Sequence, residues 1–292
     1  MGSSPASPPF VSIVITVKNE EAHLGALLDS LLTQEPPFEI VLVDALSHDA
    51  TPSIAQGFAR EHPGVLQVYE RFGSRGIGRN FGVHKSRGEF VAFIDGDCLA
   101  DASWLHALRS GLQRSDVVAG QTTTVGRTAY RNLERVELYQ EESDVTFPSC
   151  NLAYRRRLFE SLGGFDPRFI TAEDIDLNLR AVRSGAKIVY VPEARVYHQV
   201  RSTWMRFLVQ AFWNGYGRKQ LTEKQGSLWA NYRYRRLFSG QRSLIAWSRL
   251  ATAFAGYFTR VLIGGGQRLT PTPPPGGLAG TEPEGSGTSV SE

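Results

Sequence analysis

Phe90-Val91-Ala92-Phe93-Ile94-Asp95-Gly96-Asp97 (FVAFIDGD, residues 90–97) is an unbroken apolar run that ends in two carboxylates around a glycine. Five consecutive apolar residues with no polar alternation suit a strand buried on both faces, the habit of a parallel sheet. An Asp-x-Asp triplet by itself is more often a turn. At the end of such a strand it becomes a pair of hard oxygen ligands, suited to Mg²⁺ or Mn²⁺ shared with phosphate oxygens.

Three earlier runs have the same character: Ser12–Val17, Glu39–Val43 and Val65–Tyr69. Helical patterns separate them. Leu24, Leu27, Leu28 and Leu31 recur at the spacing of one helix face. Thr51-Pro52 predicts an N-cap followed by proline at the first helical position. Asp101 is expected to cap a helix carrying Trp104, Leu105, Leu108 and Leu112. This alternation predicts an α/β fold with a doubly wound, mostly parallel sheet flanked by helices. In such sheets ligands bind beyond the carboxyl ends of the strands. Lys18-Asn19-Glu20, Asp44 and Asp95-Gly96-Asp97 all fall there.

Gly73 to Gly82 (GSRGIGRNFG) does not have dinucleotide-fingerprint spacing. Two readings stay open: a loop entering a helix whose N-terminus, with Arg75 and Arg79, faces phosphate, or a surface loop with solvated arginines. Thr171-Ala172-Glu173-Asp174 is equally open. It can be a capping box with acidic residues in the first turn, or it can present a general base to the crevice. Ile175, Leu179 and Val182 are the expected buried face of that helix. An apolar strand over Lys187–Val191 is expected to end at Pro192, and His198 matters only if the chain returns it to Asp95 and Asp97.

Together these segments resemble glycosyltransferase family 2, the large inverting family with the A-type glycosyltransferase fold. The resemblance is carried by VSIVITVKNEEAHLGALLDSLL (11–32), EIVLVDALSHDAT (39–51), GIGRNFGVHKSRGEFVAFIDGDC (76–98), CNLAYRRRLFESLGGFD (150–166) and AEDIDLNLRAVRSGAKIVYVPEARVYH (172–198). It implies a nucleotide-sugar site in which Asp44 reads the base beside the backbone of Val17 and Lys18, and Arg79 and Asn80 line the pocket. It further implies that Asp95 faces ribose or metal, that Asp97 and His198 bind metal, and that Asp174 is the base that deprotonates the acceptor. Asn151 and Glu173 would support the donor or acceptor site.

The implied cofactor is Mn²⁺ or Mg²⁺, and the implied donor a UDP- or GDP-linked sugar. Ala45-Leu46-Ser47 follows Asp44 where the family often has Asp-Gly-Ser or Gly-Gly-Ser, which leaves the base preference open. No Gln-x-x-Arg-Trp element occurs, which argues against a processive synthase. A nucleotidyltransferase would also use such a sheet and acidic ligands, but gives the Glu-Asp pair no task. A non-catalytic scaffold would not need Asp44, Asp95, Asp97 and Asp174 together.

From Arg201 to Arg260 the only acidic residue is Glu223, and basic residues interleave with Trp, Tyr and Phe. That composition suits an interfacial membrane anchor beside a lipid-linked or membrane-proximal acceptor. It also suits aromatics that complete a soluble core under a solvated basic face. Arg249 and Arg260 interrupt the most apolar stretch, so a full span is not expected. A net charge of +3 and no recognisable reading module argue against nucleic acid.

Cys98 and Cys150 form no disulfide framework or Cys-x-x-Cys zinc pattern, consistent with a reducing compartment. With no basic-then-apolar leader, the expected location is cytoplasmic, at the inner face of the membrane. The expected organisation is a disordered N-terminus (1–9), a catalytic domain (10–200, with a nucleotide-binding half 10–112 and an acceptor half 113–200), a basic aromatic helical segment (201–264) and a disordered tail (265–292).

Overall fold

The computed structural model describes residues 10–125, 136–199, 203–228 and 244–263. The expectations for 1–9 and for the tail 265–292 therefore lie outside the described residues. The predicted strands are present as β1 (Val11–Val17), β2 (Phe38–Asp44), β3 (Leu66–Glu70) and β4 (Phe90–Asp95). They belong to an eight-stranded sheet of order β3-β2-β1-β4-β9-β6-β10-β5. The added strands are β5 (Cys98–Ala100), β6 (Val117–Val125), β9 (Asn151–Arg155) and β10 (Ile188–Gln199). A small separate ribbon pairs β7 (Tyr139–Gln140) with β8 (Ser143–Asp144). The β1–β4 half is parallel, β9 runs antiparallel between β4 and β6, and β5 runs antiparallel on β10.

Both faces of the sheet are covered, which is why the strands carry no polar alternation. Ile13, Ile15 and Val17 of β1 pack with Leu24, Leu27, Leu28 and Leu31 of helix α1 (Leu24–Leu32) and with Trp104 and Leu108 of α4 (Trp104–Leu112). Val14 points the other way, into a core with Val83 of α3 (Arg75–Lys85) and with Leu177 and Ala181 of α6 (Glu173–Arg183). The strand period of two sends successive residues of β1 to opposite cores. Helices α2 (Thr51–Glu61) and α5 (Arg156–Ser161) complete this part.

Three helix starts differ from expectation. Helix α2 begins one residue early, with Ala50 at the cap and Thr51 inside, because the Thr51 hydroxyl is taken by the Glu20 N–H at 2.7 Å. Asp101 does not cap α4. Its carboxylate accepts from Ser103 N–H and Oγ, forming a turn that leaves Ser103 at the cap position. The capping box at Thr171 is absent: Ala172 occupies the cap position at φ 68°, and Asp174 accepts instead from its neighbours' N–H groups. The apolar run at Ile188 also continues past Pro192 as one long strand, with a bulge between Val191 and Arg195.

Beyond the sheet, α7 (Trp204–Gln225) and α8 (Leu244–Ile263) pack closely against each other. Gly215 and Gly256 permit that approach: a Cβ on Gly215 would meet the Ala253 carbonyl oxygen at 1.7 Å. Three of the described cations here are drawn onto partners, while Arg206 is exposed. Lys224 is buried on Asp166 and Asp176, Arg260 pairs with Glu223, and Arg218 donates to the Val136 carbonyl. Apolar side chains are exposed as well, including Trp204, Met205, Trp247, Phe254 and Phe258. No helix among the described residues is long and apolar enough to cross a membrane.

Candidate active site

The strand ends meet as the sequence predicts. Val17 lies beside Asp44, and Thr16 beside Asp95, in the β1–β2 and β1–β4 registers. This corner is where the strand order reverses: from β1 the chain builds outward to β2 and β3, then returns to β4 on the other side. Asp44 is buried, and its two carboxylate oxygens accept from Ser47 N–H (2.9 Å) and Ser47 Oγ (2.5 Å). Ser47 Oγ in turn accepts from Asn19 N–H, while Asn19 Oδ1 accepts from His48 N–H. The loops after β1 and β2 are thus bound to each other, and Lys18 stands exposed above them.

The glycines of α3 serve close packing. A Cβ at Gly78 would come within 2.8 Å of Thr16 Cγ2, and one at Gly82 within 2.5 Å of Val14 Cγ1. With hydrogen on both, the helix lies directly on β1 and its neighbouring side chains reach the strand ends. Arg79 is 1% exposed and spans the molecule there. Its Nη2 meets Asp95 Oδ1 at 2.7 Å, and its Nη1 meets Glu173 Oε1 at 2.8 Å. Its guanidinium lies 5.4 Å from the Phe165 ring centroid. Burial alone would disfavour the charged guanidinium, but Asp95 and Glu173 outweigh it and raise its pKa. Asp95 is correspondingly lowered, burial being opposed by Arg79 and by the more distant Arg75. Asn80 uses both ends of its amide on the Phe165 backbone, fixing the Gly163-Gly164 turn.

Glu173 and Asp174 open α6. Asp174 accepts from Ser149 N–H at 3.2 Å through Oδ2 and from Ile175 N–H at 2.8 Å through Oδ1. Burial and the neighbouring Glu173 push its pKa up to about 6, against the pull of Arg79 and the two N–H groups. A carboxyl poised there is ionised at neutral pH yet basic enough to take a proton. Asn151 is fully buried and all its amide atoms are used within the fold: it accepts from Trp104 Nε1 and donates to the carbonyls of Gln121 and Ala194.

The chain turns at Gly96, where a Cβ would meet Val17 Cγ1 at 2.8 Å, and enters β5 antiparallel to β10. That pairing sets Cys98 opposite His198 and brings His198 Nε2 to 3.3 Å from Asp97 Oδ1. The histidine returns to the acidic corner as the resemblance requires. Burial works against its charge, but the hydrogen bond and charge of Asp97 raise its pKa to about 9. One oxygen, sulfur or nitrogen atom each from Asp97, Cys98 and His198 lies within 4.8 Å of the others, a set that fits one divalent cation. Asp95 is not in that group.

Sequence reasoning missed Cys98 as a member of this cluster, although it directly follows Asp97. It also missed the Arg79 bridge and the support of α6 by Lys224. Lys224 Nζ lies 2.7 Å from Asp166 and 2.9 Å from Asp176, which also holds Arg180 and Gln225. No local pattern could have identified a partner 48 residues away.

Comparison with known proteins extends this picture. A sequence model described as "Glycosyltransferase like family 2" matches residues 8–217. Glycosyltransferase AglE of Haloferax volcanii is 28% identical over 207 residues, covering 66% of this chain and 68% of that protein. The probable glycosyltransferase YdaM of Bacillus subtilis is 26% identical over 220 residues, or 67% of this chain, which spans only about half (52%) of YdaM. The mannosyltransferase PcManGT from Pyrobaculum calidifontis, solved with GDP-Man and Mn²⁺, superposes with a TM-score of 0.61 at 21% identity. The match covers 90% of this chain and 78% of that one, and establishes a shared fold.

Proposed function

The chain belongs to glycosyltransferase family 2, and from that premise we propose that it transfers a sugar, with inversion, from a nucleoside diphosphate to a lipid-linked or membrane-proximal acceptor. The observation that carries this reading is the Arg79 bridge: one buried cation joins Asp95, at the donor corner, to Glu173, next to the proposed base Asp174. Donor and acceptor halves are thereby held in one constellation, which a displacement reaction needs. Asp174 takes the proton of the acceptor hydroxyl as its oxygen attacks the anomeric carbon. The bond to the diphosphate breaks on the opposite face of the sugar, so no protein nucleophile is required. Asp44, the loop beyond Val17 and Lys18, and the α3 residues Arg79 and Asn80 shape the nucleotide site in this reading. Mn²⁺ or Mg²⁺ would be held by Asp97 and His198, with Asp95 close by, and when bound would neutralise charge on the diphosphate.

Calorimetric titration of UDP and of GDP, each with and without Mn²⁺, tests the donor site. Binding of one of them that strengthens with Mn²⁺ is the expected result. A folded sample that binds neither would overturn the proposal in favour of a scaffold without turnover.

The acceptor class rests on the exposed apolar faces of α7 and α8. Trp204, Met205, Trp213, Trp247, Phe254 and Phe258 are each between 38% and 68% exposed. Such a patch on a protein surface marks a contact site. We place it against the inner face of the cell membrane, with the two free thiols suiting a reducing cytoplasm. In a flotation assay the protein is expected to rise with anionic liposomes, less so at high salt, and Trp247→Ser/Phe258→Ser should weaken that binding. Equal recovery without lipid at low salt would remove the membrane from the proposal.

A further inference from the structure

The cation corner contains a sulfur atom that an oxygen-loving Mg²⁺ or Mn²⁺ does not need. Cys98 Sγ lies 3.9 Å from Asp97 Oδ1, and His198 Nε2 lies 3.3 Å from the same oxygen. The antiparallel register places Cys98 directly across from His198, so their side chains leave the same face of the sheet. Cys98 itself is 1% exposed, whereas Asp97 and His198 side chains are 20% and 27% exposed, so the cluster is closed on the sulfur side and open toward the crevice. A second thiol, Cys150, hydrogen-bonds to Cys98 and lies 3.7 Å from Thr122 Oγ1.

We propose that Asp97, Cys98 and His198 form a mixed oxygen, sulfur and nitrogen site that binds a thiophilic divalent cation, Zn²⁺ above all, more tightly than Mn²⁺ or Mg²⁺. One carboxylate, one thiolate and one imidazole with a side open to solvent is a zinc-type arrangement: three protein ligands and a free position. Softer sulfur and the general order of divalent affinities both favour Zn²⁺ over Mn²⁺. On coordination the sulfur–hydrogen bond of Cys98 breaks, its electron pair goes to the cation, and the proton leaves to solvent. Zinc would then compete at the corner used by the cation of the proposed transfer, on which this inference rests. The strand register supplies the physical cause. A β5 that began one residue later would turn Cys98 to the other face of the sheet.

Cobalt(II) titrated into the full chain reports a thiolate ligand directly, through a sulfur-to-metal charge-transfer band. Wild type is expected to give that band, and Zn²⁺ to abolish it. Mn²⁺ binding is followed separately by the loss of the free-ion magnetic resonance signal, which Zn²⁺ should restore. Cys98→Ser should lose the band and weaken Zn²⁺ by about 100-fold while changing Mn²⁺ far less. Should Cys98→Ser not fold, Cys150→Ser decides the matter, because the chain has two cysteines and a band that survives there belongs to Cys98. A band lost in Cys150→Ser but kept in Cys98→Ser overturns the assignment. Mn²⁺ binding without a charge-transfer band overturns the inference and leaves the transferase reading standing. A corner that binds no cation at all overturns both the inference and the metal dependence of that reading.

Discussion

Asp174→Asn is expected to lower turnover by about 10²–10⁴-fold, the usual contribution of a positioned general base, while nucleotide binding is retained. The substitution keeps the shape of the side chain and removes its ability to accept a proton. It also removes a carboxylate that sits beside Glu173 in a buried setting, the two causes that raise its pKa to about 6. A carboxyl raised in the native state above its ordinary 3.8 ionises at a cost to folding. Stability is therefore greater below the unfolded value and declines as pH rises toward about 6. A neutral Asn avoids that cost but can accept from only one of the Ser149 and Ile175 N–H groups, so the two changes oppose each other and the melting temperature of the variant should stay close to that of wild type. Lost turnover with near-native stability would separate a chemical role from a structural one. In wild type the same group predicts that kcat/KM falls with an acid limb centred near pH 6, because only the ionised form can act as base. Undiminished turnover in Asp174→Asn would place the base elsewhere.

Arg79→Met should destabilise the protein by about 3–5 kcal/mol, the penalty for leaving one side of a buried ion pair without its partner. Here two carboxylates are affected, since Asp95 and Glu173 both face the same guanidinium. Methionine preserves the apolar stem that packs in the interior but offers no hydrogen to either. Arg79→Lys should recover only part of the loss, because one ammonium lacks the planar fork that reaches both acids. Urea unfolding of the three proteins measures the effect. A loss below about 1 kcal/mol for Arg79→Met would mean that water or another cation satisfies the two acids. Because the Arg79 side chain is enclosed between Asp95 and Glu173, its part in the proposed nucleotide site is to hold these two acids in place.

Local chemistry accounts for what could be read without a structure. The strand and helix patterns depend on residues within one element, and β1 to β4 appear within a residue or two of the predicted limits. Leu24, Leu27, Leu28 and Leu31 are all buried, as their spacing required. Helix caps were less legible, since competing partners decide them. Thr51 is drawn to Glu20 N–H, and Asp101 to Ser103.

By itself, then, the sequence determined the alternation of strands and helices, the two-sided burial of the sheet and the gathering of Asp44, Asp95 and Asp97 at strand ends. These follow from side-chain periodicity and from the right-handed crossovers that parallel strands demand. Only the tertiary structure decided which polar groups face one another. The antiparallel pairing of β5 with β10 brought His198 and Cys98 to Asp97, and the glycine face of α3 let Arg79 reach Asp95 and Glu173 at once. It also drew Lys224 of the C-terminal helices onto Asp166 and Asp176, and Arg260 onto Glu223, and left Trp204, Trp247, Phe254 and Phe258 exposed. A buried charge must find an opposite charge wherever in the chain one is available, and that search is settled by packing, not by spacing along the sequence.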